Sequence, residues 1–420
     1  MDKRYFNAAA LKSEFEGYVL GQDEGSRRIA FAVSSHLFRI SAHKRNINSR
    51  IRKDNVMLAG PTGCGKTETF RVLRRLEEKL GIPVIMRNAP DYAPNDNWKG
   101  AKDLNSIVKE LFEEAQILYG KLHCTPTTEE EFDEVCQMAS NGIILLDEFD
   151  KIRIVNGGSN ESFSRDFQAM LLKLTEGSVC PICKLKSKDG DSDDAKSDDK
   201  DASVLKVDTS GIMFIFLGAF DGMEAITRSR ILKEMQNKEG REERKPETEA
   251  GGIGFMADIK PVGSKAVPAE KEELPADTDL TPSLEDMIEY GIMRELAGRI
   301  AIRINYKALS VDDIVKIMRE SKTSVFLEYQ ERFEIMGHKL TLDDAAFREI
   351  ASMAVDKKTG ARGLSSIFSE LLAPTMYLLS GTADPTECVL RGSDIKKNQP
   401  PQLRKLKKTG LDKWRKMMGA

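Results

Sequence analysis

No stretch of this 420-residue chain approaches the length of a membrane span, and the opening Met1-Asp2-Lys3-Arg4 leads into no apolar signal core. The sequence therefore predicts a cytoplasmic protein, one that stays in the compartment that made it. Cysteine is scarce, with six residues scattered at Cys64, Cys124, Cys136, Cys180, Cys183 and Cys388, which excludes a disulfide framework and fits reduced thiols. Only Cys180-Pro181-Ile182-Cys183 has metal-ligand spacing, and no second pair follows. A turn with two free thiols is the plainer expectation beside half a zinc site. Neither sign of charge prevails: 64 Lys and Arg against 67 Asp and Glu leave a net −3, which argues against a protein that coats nucleic acid. The tail from Lys396 to Lys416 is locally basic, and a solvated chain end is expected there.

What is present is apolar mass and one unusual loop. A hydrophobic content of 40% over 420 residues supports substantial cores and roughly two to three domains. The loop is Gly60-Pro61-Thr62-Gly63-Cys64-Gly65-Lys66-Thr67, a Walker A sequence that follows the short apolar run Val56-Met57-Leu58-Ala59. Glycines let successive backbone N–H groups turn toward a polyphosphate, Lys66 supplies a point charge, and the Thr67 hydroxyl suits Mg²⁺. Phe70, Leu73, Leu76 and Leu80 then recur at helical spacing until Gly81-Ile82-Pro83 stops the helix.

Ile29, Val33, Leu37 and Ile40 predict an amphipathic helix ahead of the loop. Short apolar runs at Val56–Ala59, Val84–Met86, Ile143–Leu146, Ile212–Leu217 and Ile300–Ile304 alternate with helical segments. That alternation predicts an α/β fold, a mostly parallel sheet flanked by helices, with its ligand at the carboxyl ends of the strands. Two insertions interrupt it. One, at about 184–203, is acidic and too poor in apolar residues to pack; the other, at about 228–280, is charged except for Gly251-Gly252-Ile253-Gly254-Phe255-Met256, which reads as an exposed docking peptide. After Leu309 strands largely stop. Ser310-Val311-Asp312-Asp313 and Thr341-Leu342-Asp343-Asp344 read as capping boxes, and Leu364, Ile367, Phe368, Leu371 and Leu372 form one stripe that Pro374 should bend or end. The expected organisation is a large domain over 1–307, a small and mainly helical lid over 308–395, and a basic tail over 396–420.

Ile143-Ile144-Leu145-Leu146-Asp147-Glu148 is an apolar strand ending in two acids. Behind a phosphate loop, Asp147 is suited to ordering the Mg²⁺ shell and Glu148 to polarising the attacking water. No polar side chain stands out at the end of Ile215-Phe216-Leu217-Gly218.

Taken together, these blocks resemble the ClpX-type AAA+ protein unfoldases, with HslU as the next nearest relative. The resemblance runs from about Tyr18 to Leu379 and includes Tyr18-Val19-Leu20-Gly21-Gln22, the segment Gln168 to Gly177, Val207 to Ile215, Gly218-Ala219-Phe220, Gly252-Ile253-Gly254-Phe255, Tyr290-Gly291-Ile292, and Thr359-Gly360-Ala361-Arg362-Gly363-Leu364. It implies an ATPase using ATP and Mg²⁺, with Val19 and Leu20 beside the nucleotide, and a homohexameric ring that threads protein substrates through a pore. It implies that Arg299 is an arginine finger for the neighbouring subunit and that Arg362 is a phosphate-sensing arginine of the lid. The pore-gripping segment matches Asn97-Trp98-Lys99-Gly100, where Lys99 replaces the family's aliphatic residue, and Ile253-Gly254-Phe255 matches the loop that docks on a ClpP-like peptidase.

Two departures accompany the likeness. The family's zinc-binding N-terminal domain is expected to have no counterpart before Tyr18, and the acidic stretch from Asp189 to Asp201 stands where relatives carry a basic loop, so acidic tags should be repelled. A protease-independent remodelling ATPase on the same fold remains open from the sequence. A nucleic-acid motor is disfavoured by the net acidity.

Overall fold

The computed structural model describes residues 3–45, 47, 50–93, 102–184, 204–242, 275, 278–382 and 384–406. Five strands, β1 (Asn55–Ala59), β2 (Val84–Asn88), β5 (Ile143–Asp147), β8 (Met213–Gly218) and β9 (Ile300–Asn305), form one sheet in the order β2-β5-β8-β1-β9. Every neighbouring pair is parallel. Each of the five predicted strands therefore exists and lies in the predicted kind of sheet. β1 and β8 are buried along their whole length, as strands covered on both faces must be.

Helices cover those faces. On one side α1 (Ala8–Glu16), α2 (Asp23–Lys44) and α3 (Lys66–Leu80) share a core with Val56, Leu58, Ile143, Leu145, Ile215 and Leu217. On the other, α4 (Ser106–Leu122), α5 (Glu129–Ala139) and α6 (Glu161–Glu176) pack with Met57, Ile144, Leu146, Phe214 and Phe216. Alternate residues of each strand thus feed opposite cores, and burying each such side chain contributes about 1.5–3 kcal/mol. α3 ends as predicted, with Gly81 in the left-handed region (φ 67°) and its N–H on the Glu77 carbonyl.

Shorter ladders complete this part: β3 (Tyr92–Ala93) pairs with β4 (Lys102–Asp103), and β6 (Val179–Lys184) runs antiparallel to β7 (Val204–Asp208). Cys180 and Cys183 therefore sit on a strand, not in the expected turn. Three positions apart on a strand means opposite faces; Cys180 is buried, Cys183 is exposed, and no group of three metal-ligating residues occurs among the described residues. Where the charged insertion was expected from 228, α7 runs from Met223 to Glu242. The helices α8 (Leu284–Tyr290) and α9 (Arg294–Ala297) lead into β9.

The segment after Leu309 is less purely helical than its sequence suggested. Around a core of Ile314, Phe333, Ile350, Ile367, Phe368 and Leu372, helices α10 (Val311–Glu320), α11 (Val325–Ile335), α12 (Asp344–Asp356) and α13 (Leu364–Ser380) pack against a three-stranded sheet of β10 (Lys339–Leu342), β11 (Thr386–Leu390) and β12 (Gln402–Lys405), with α14 (Gly392–Lys396) between the last two. Ser310 makes the predicted capping box with Asp313. The second box is corrected: Thr341 and Leu342 belong to β10, and Asp343 caps α12 by accepting from the Ala346 N–H. β12 also falls inside the stretch read as a solvated tail. Pro374 does not end α13, which continues to Ser380.

Among the described residues no helix is long and apolar enough to cross a membrane. At the amino ends of the strands Asn55 is buried, accepts from the Phe214 N–H at 3.1 Å and donates to the Arg299 carbonyl at 3.0 Å, tying β1 to both neighbours. His36 lies nearby, its Nε2 2.9 Å from the Asn141 carbonyl. Burial first, and then the charge of Arg39, push its pKa down to about 3. A base depressed in the folded state contributes stability above its unfolded pKa of 6.5 and loses it as pH falls toward 3. Glu77 acts oppositely: burial raises its carboxyl to about 7, so its contribution is present below 4.5 and fades as pH rises through 7. Urea titrations of His36→Gln should isolate the first effect. Between pH 6.5 and 4 the unaltered chain should lose on the order of 3 kcal/mol more than the variant, and parallel pH profiles would contradict the assignment.

Candidate nucleotide site

The loop Gly60–Thr67 leaves the carboxyl end of β1 and opens α3, so its position follows from the sheet. Gly65 has φ 107° and Gly63 φ 78°, conformations that a side chain rarely adopts. A Cβ on Gly63 would also lie 2.2 Å from the Thr359 carbonyl oxygen. Lys66 donates to the carbonyls of Gly60 and Pro61, the latter at 2.9 Å. Cys64 is buried beneath the loop, and burial pushes its thiol up, away from the reactive thiolate.

The small domain closes the loop from the other side. Its turn 360–363 sends the Ala361 N–H to the Gly63 carbonyl at 3.2 Å, and Arg362 donates to the Thr67 hydroxyl at 3.1 Å. Between the two domains lies a cavity of about 560 Å³ lined by Val19, Leu20, the loop from Thr62 to Thr67, Asp147, Glu148 and Arg362. Tyr18, Leu309, Ile317 and Val325 supply apolar wall, and Val19 lies 3.4 Å from a Cβ built on Gly65. Another cavity of about 560 Å³, lined by Arg28, Ser283 and Arg303 beside the open edge of β9, has no glycine loop.

Asp147 closes β5, and the chain then turns at Glu148, whose φ of 56° is strained for a non-glycine residue. That turn brings both carboxylates to the cavity, where straight strand geometry would have separated them. The Glu148 N–H donates to Asp147 Oδ1 at 2.8 Å, and Lys151 Nζ lies 2.7 Å from Glu148 Oε2. The donors, the hydroxyl and the acids suit a polyphosphate with a divalent cation: glycine-freed N–H groups and Lys66 for oxygens, Thr67 and Asp147 for the metal.

Three acids at the cavity escaped the sequence reading. Glu68, Asp150 and Asp221 line it as well, and burial holds the Asp150 carboxyl above its ordinary range. Asp221 follows β8 by three residues, just past Gly218-Ala219-Phe220, where Phe220 has φ 52°. Arg299 does not line this cavity. It stands at the amino end of β9, half-exposed, paired with Glu176 at 2.7 Å. Trp98, Lys99 and Gly100, like Ile253, Gly254 and Phe255, lie outside the described residues.

The profile of the family AAA domain (Cdc48 subfamily) matches residues 52–303, from just before β1 through most of β9. The profile of the C-terminal, D2-small domain, of ClpB protein matches residues 309–388. Among curated proteins, the ATP-dependent Clp protease ATP-binding subunit ClpX of Treponema denticola is 29% identical over 372 residues, 87% of this chain and 76% of that protein. The first match contains the glycine loop and the acids of β5, the second contains Arg362, and the likeness to ClpX spans both. With most of the cavity wall drawn from these two matched segments, the chain belongs to the AAA family and is a ClpX-type AAA+ ATPase.

Proposed function

We propose that this ATPase is a ring-forming protein unfoldase that pulls polypeptides through its central pore and delivers them to a ClpP-like peptidase. The observation that carries the reading is the reach of Arg362 from the small domain to the Thr67 hydroxyl. A γ-phosphate gained or lost at that point alters a contact between two domains, so chemistry becomes displacement.

In this reading the N–H groups from Gly63 to Thr67 cradle the phosphates while Lys66 leaves its carbonyl partners for the β- and γ-oxygens. Thr67 and Asp147 would hold Mg²⁺, which would supply charge neutralisation for the transferring phosphoryl group. Glu148 releases Lys151, accepts a hydrogen bond from the attacking water and takes its proton. Arg362 stabilises the charge from the lid. Arg299, directed away from its own cavity, serves the adjoining subunit, which makes turnover a property of the ring. Large apolar side chains exposed on both domains, Phe31 and Phe38 on α2 and Ile335, Tyr377 and Leu378 on the small domain, suit a head-to-tail ring of about six copies. Trp98, Lys99 and Gly100 would grip the threaded chain, and Ile253, Gly254 and Phe255 would dock the peptidase.

Glu148→Gln should bind ATP with near-normal affinity while steady-state hydrolysis falls by at least about 100-fold. Normal turnover in that variant would remove Glu148 from the mechanism. For Phe255→Ala, ATP hydrolysis should persist while degradation of a folded, tagged protein by the chain plus ClpP falls several-fold. Undiminished degradation would favour an ATPase that remodels proteins without the peptidase.

A further inference from the structure

Residues 17–22 run between the two domains and are tied to both. The Gln22 side chain, 4% exposed, donates from Nε2 to the Lys307 carbonyl at 2.8 Å and the Cys64 carbonyl at 3.3 Å, and accepts from the Lys307 N–H at 3.0 Å. One amide thus joins the glycine loop to the connection between β9 and α10. At the other end of the segment the Gly17 carbonyl accepts from the Lys322 N–H at 3.0 Å, just past α10.

Between these anchors sits Tyr18. Its ring takes the Arg75 guanidinium at 4.3 Å and the Lys322 ammonium at 5.1 Å. Arg75 belongs to α3, the helix that begins at Lys66, whereas Lys322 belongs to the small domain. Two cations repel each other when nothing lies between them, and the electron-rich ring attracts both. Glu68 reinforces the junction, with Arg75 Nη1 at 3.4 Å and the Thr323 hydroxyl at 3.5 Å. The ring also lines the nucleotide cavity, so an occupant bears on the same side chain that holds the domains together.

We propose that Tyr18 is a positioning residue that transmits nucleotide occupancy from α3 to the small domain through its paired contacts with Arg75 and Lys322. This rests on the nucleotide reading of the cavity and adds a second route beside Arg362. The ring's π surface carries the coupling, and its hydroxyl is dispensable. Phenylalanine therefore replaces Tyr18, while leucine, apolar but without a π surface, does not.

Hydrogen exchange of the peptide spanning Lys322, whose N–H donates to Gly17, reports closure in the full chain. A saturating non-hydrolysable ATP analogue should slow that exchange in the unaltered chain and in Tyr18→Phe. In Tyr18→Leu the slowing should shrink by about five-fold or more, beyond any change in analogue affinity. Lys322→Gln, at an exposed position, should show the same loss and covers the case in which Tyr18→Leu does not fold. Undiminished slowing in Tyr18→Leu or Lys322→Gln with analogue bound would overturn the proposal, as would a Tyr18→Phe that behaves like Tyr18→Leu. Binding without slowing in the unaltered chain would overturn the coupling alone; absence of binding would overturn the nucleotide reading and the coupling with it.

Discussion

The docking of the turn 360–363 onto the glycine loop is the contact on which the rest depends. Gly63 meets Thr359 and Gly360 so closely that any Cβ there would collide with backbone, and the Ala361 N–H fills the Gly63 carbonyl. Two backbones approach directly, without side chains to absorb error. The loop's shape and the placement of the small domain are therefore one constraint, and Arg362 reaches Thr67 because of it.

Below that contact the parallel sheet does the positioning. Parallel strands carry their carboxyl ends to one edge, so the glycine loop after β1, the acids after β5 and Asp221 after β8 converge although distant in sequence. Buried polar groups fix the arrangement. Gln168, fully buried, donates to the Ile152 and Gly291 carbonyls and accepts from the Met293 N–H, holding α6 to the segments on either side of it in sequence. Each such amide is costly if left unpaired, which penalises misplacement of the loops it joins.

Legibility followed the strength of the local signal. The five core strands were readable because each is a short apolar run bounded by breakers, and α3 because its apolar period and Gly81 agree. α1 went unread: nine residues ahead of α2 give little periodicity, and its burial of Leu11 and Phe15 is decided by α2. The small sheet was hidden for a related reason. Lys339-Leu340-Thr341-Leu342 alternates over only four residues, and its Thr341 imitates a helix cap, so pairing with β11 decides the matter. Glu68, Asp150 and Asp221 were missed because nothing local marks an acid as facing a cavity.

The sequence by itself determined the chemistry on offer: a glycine loop with Lys66 and Thr67, an apolar strand ending in Asp147 and Glu148, and apolar periods long enough to fix most elements. These depend on neighbours within a few residues. Tertiary structure alone decided that Arg362 meets Thr67, that Arg299 stays out of its own cavity, that Glu148 turns inward through a strained φ, and that Tyr18 lies between cations of two domains. Those are matters of distance between segments remote along the chain, and such distances are set by packing.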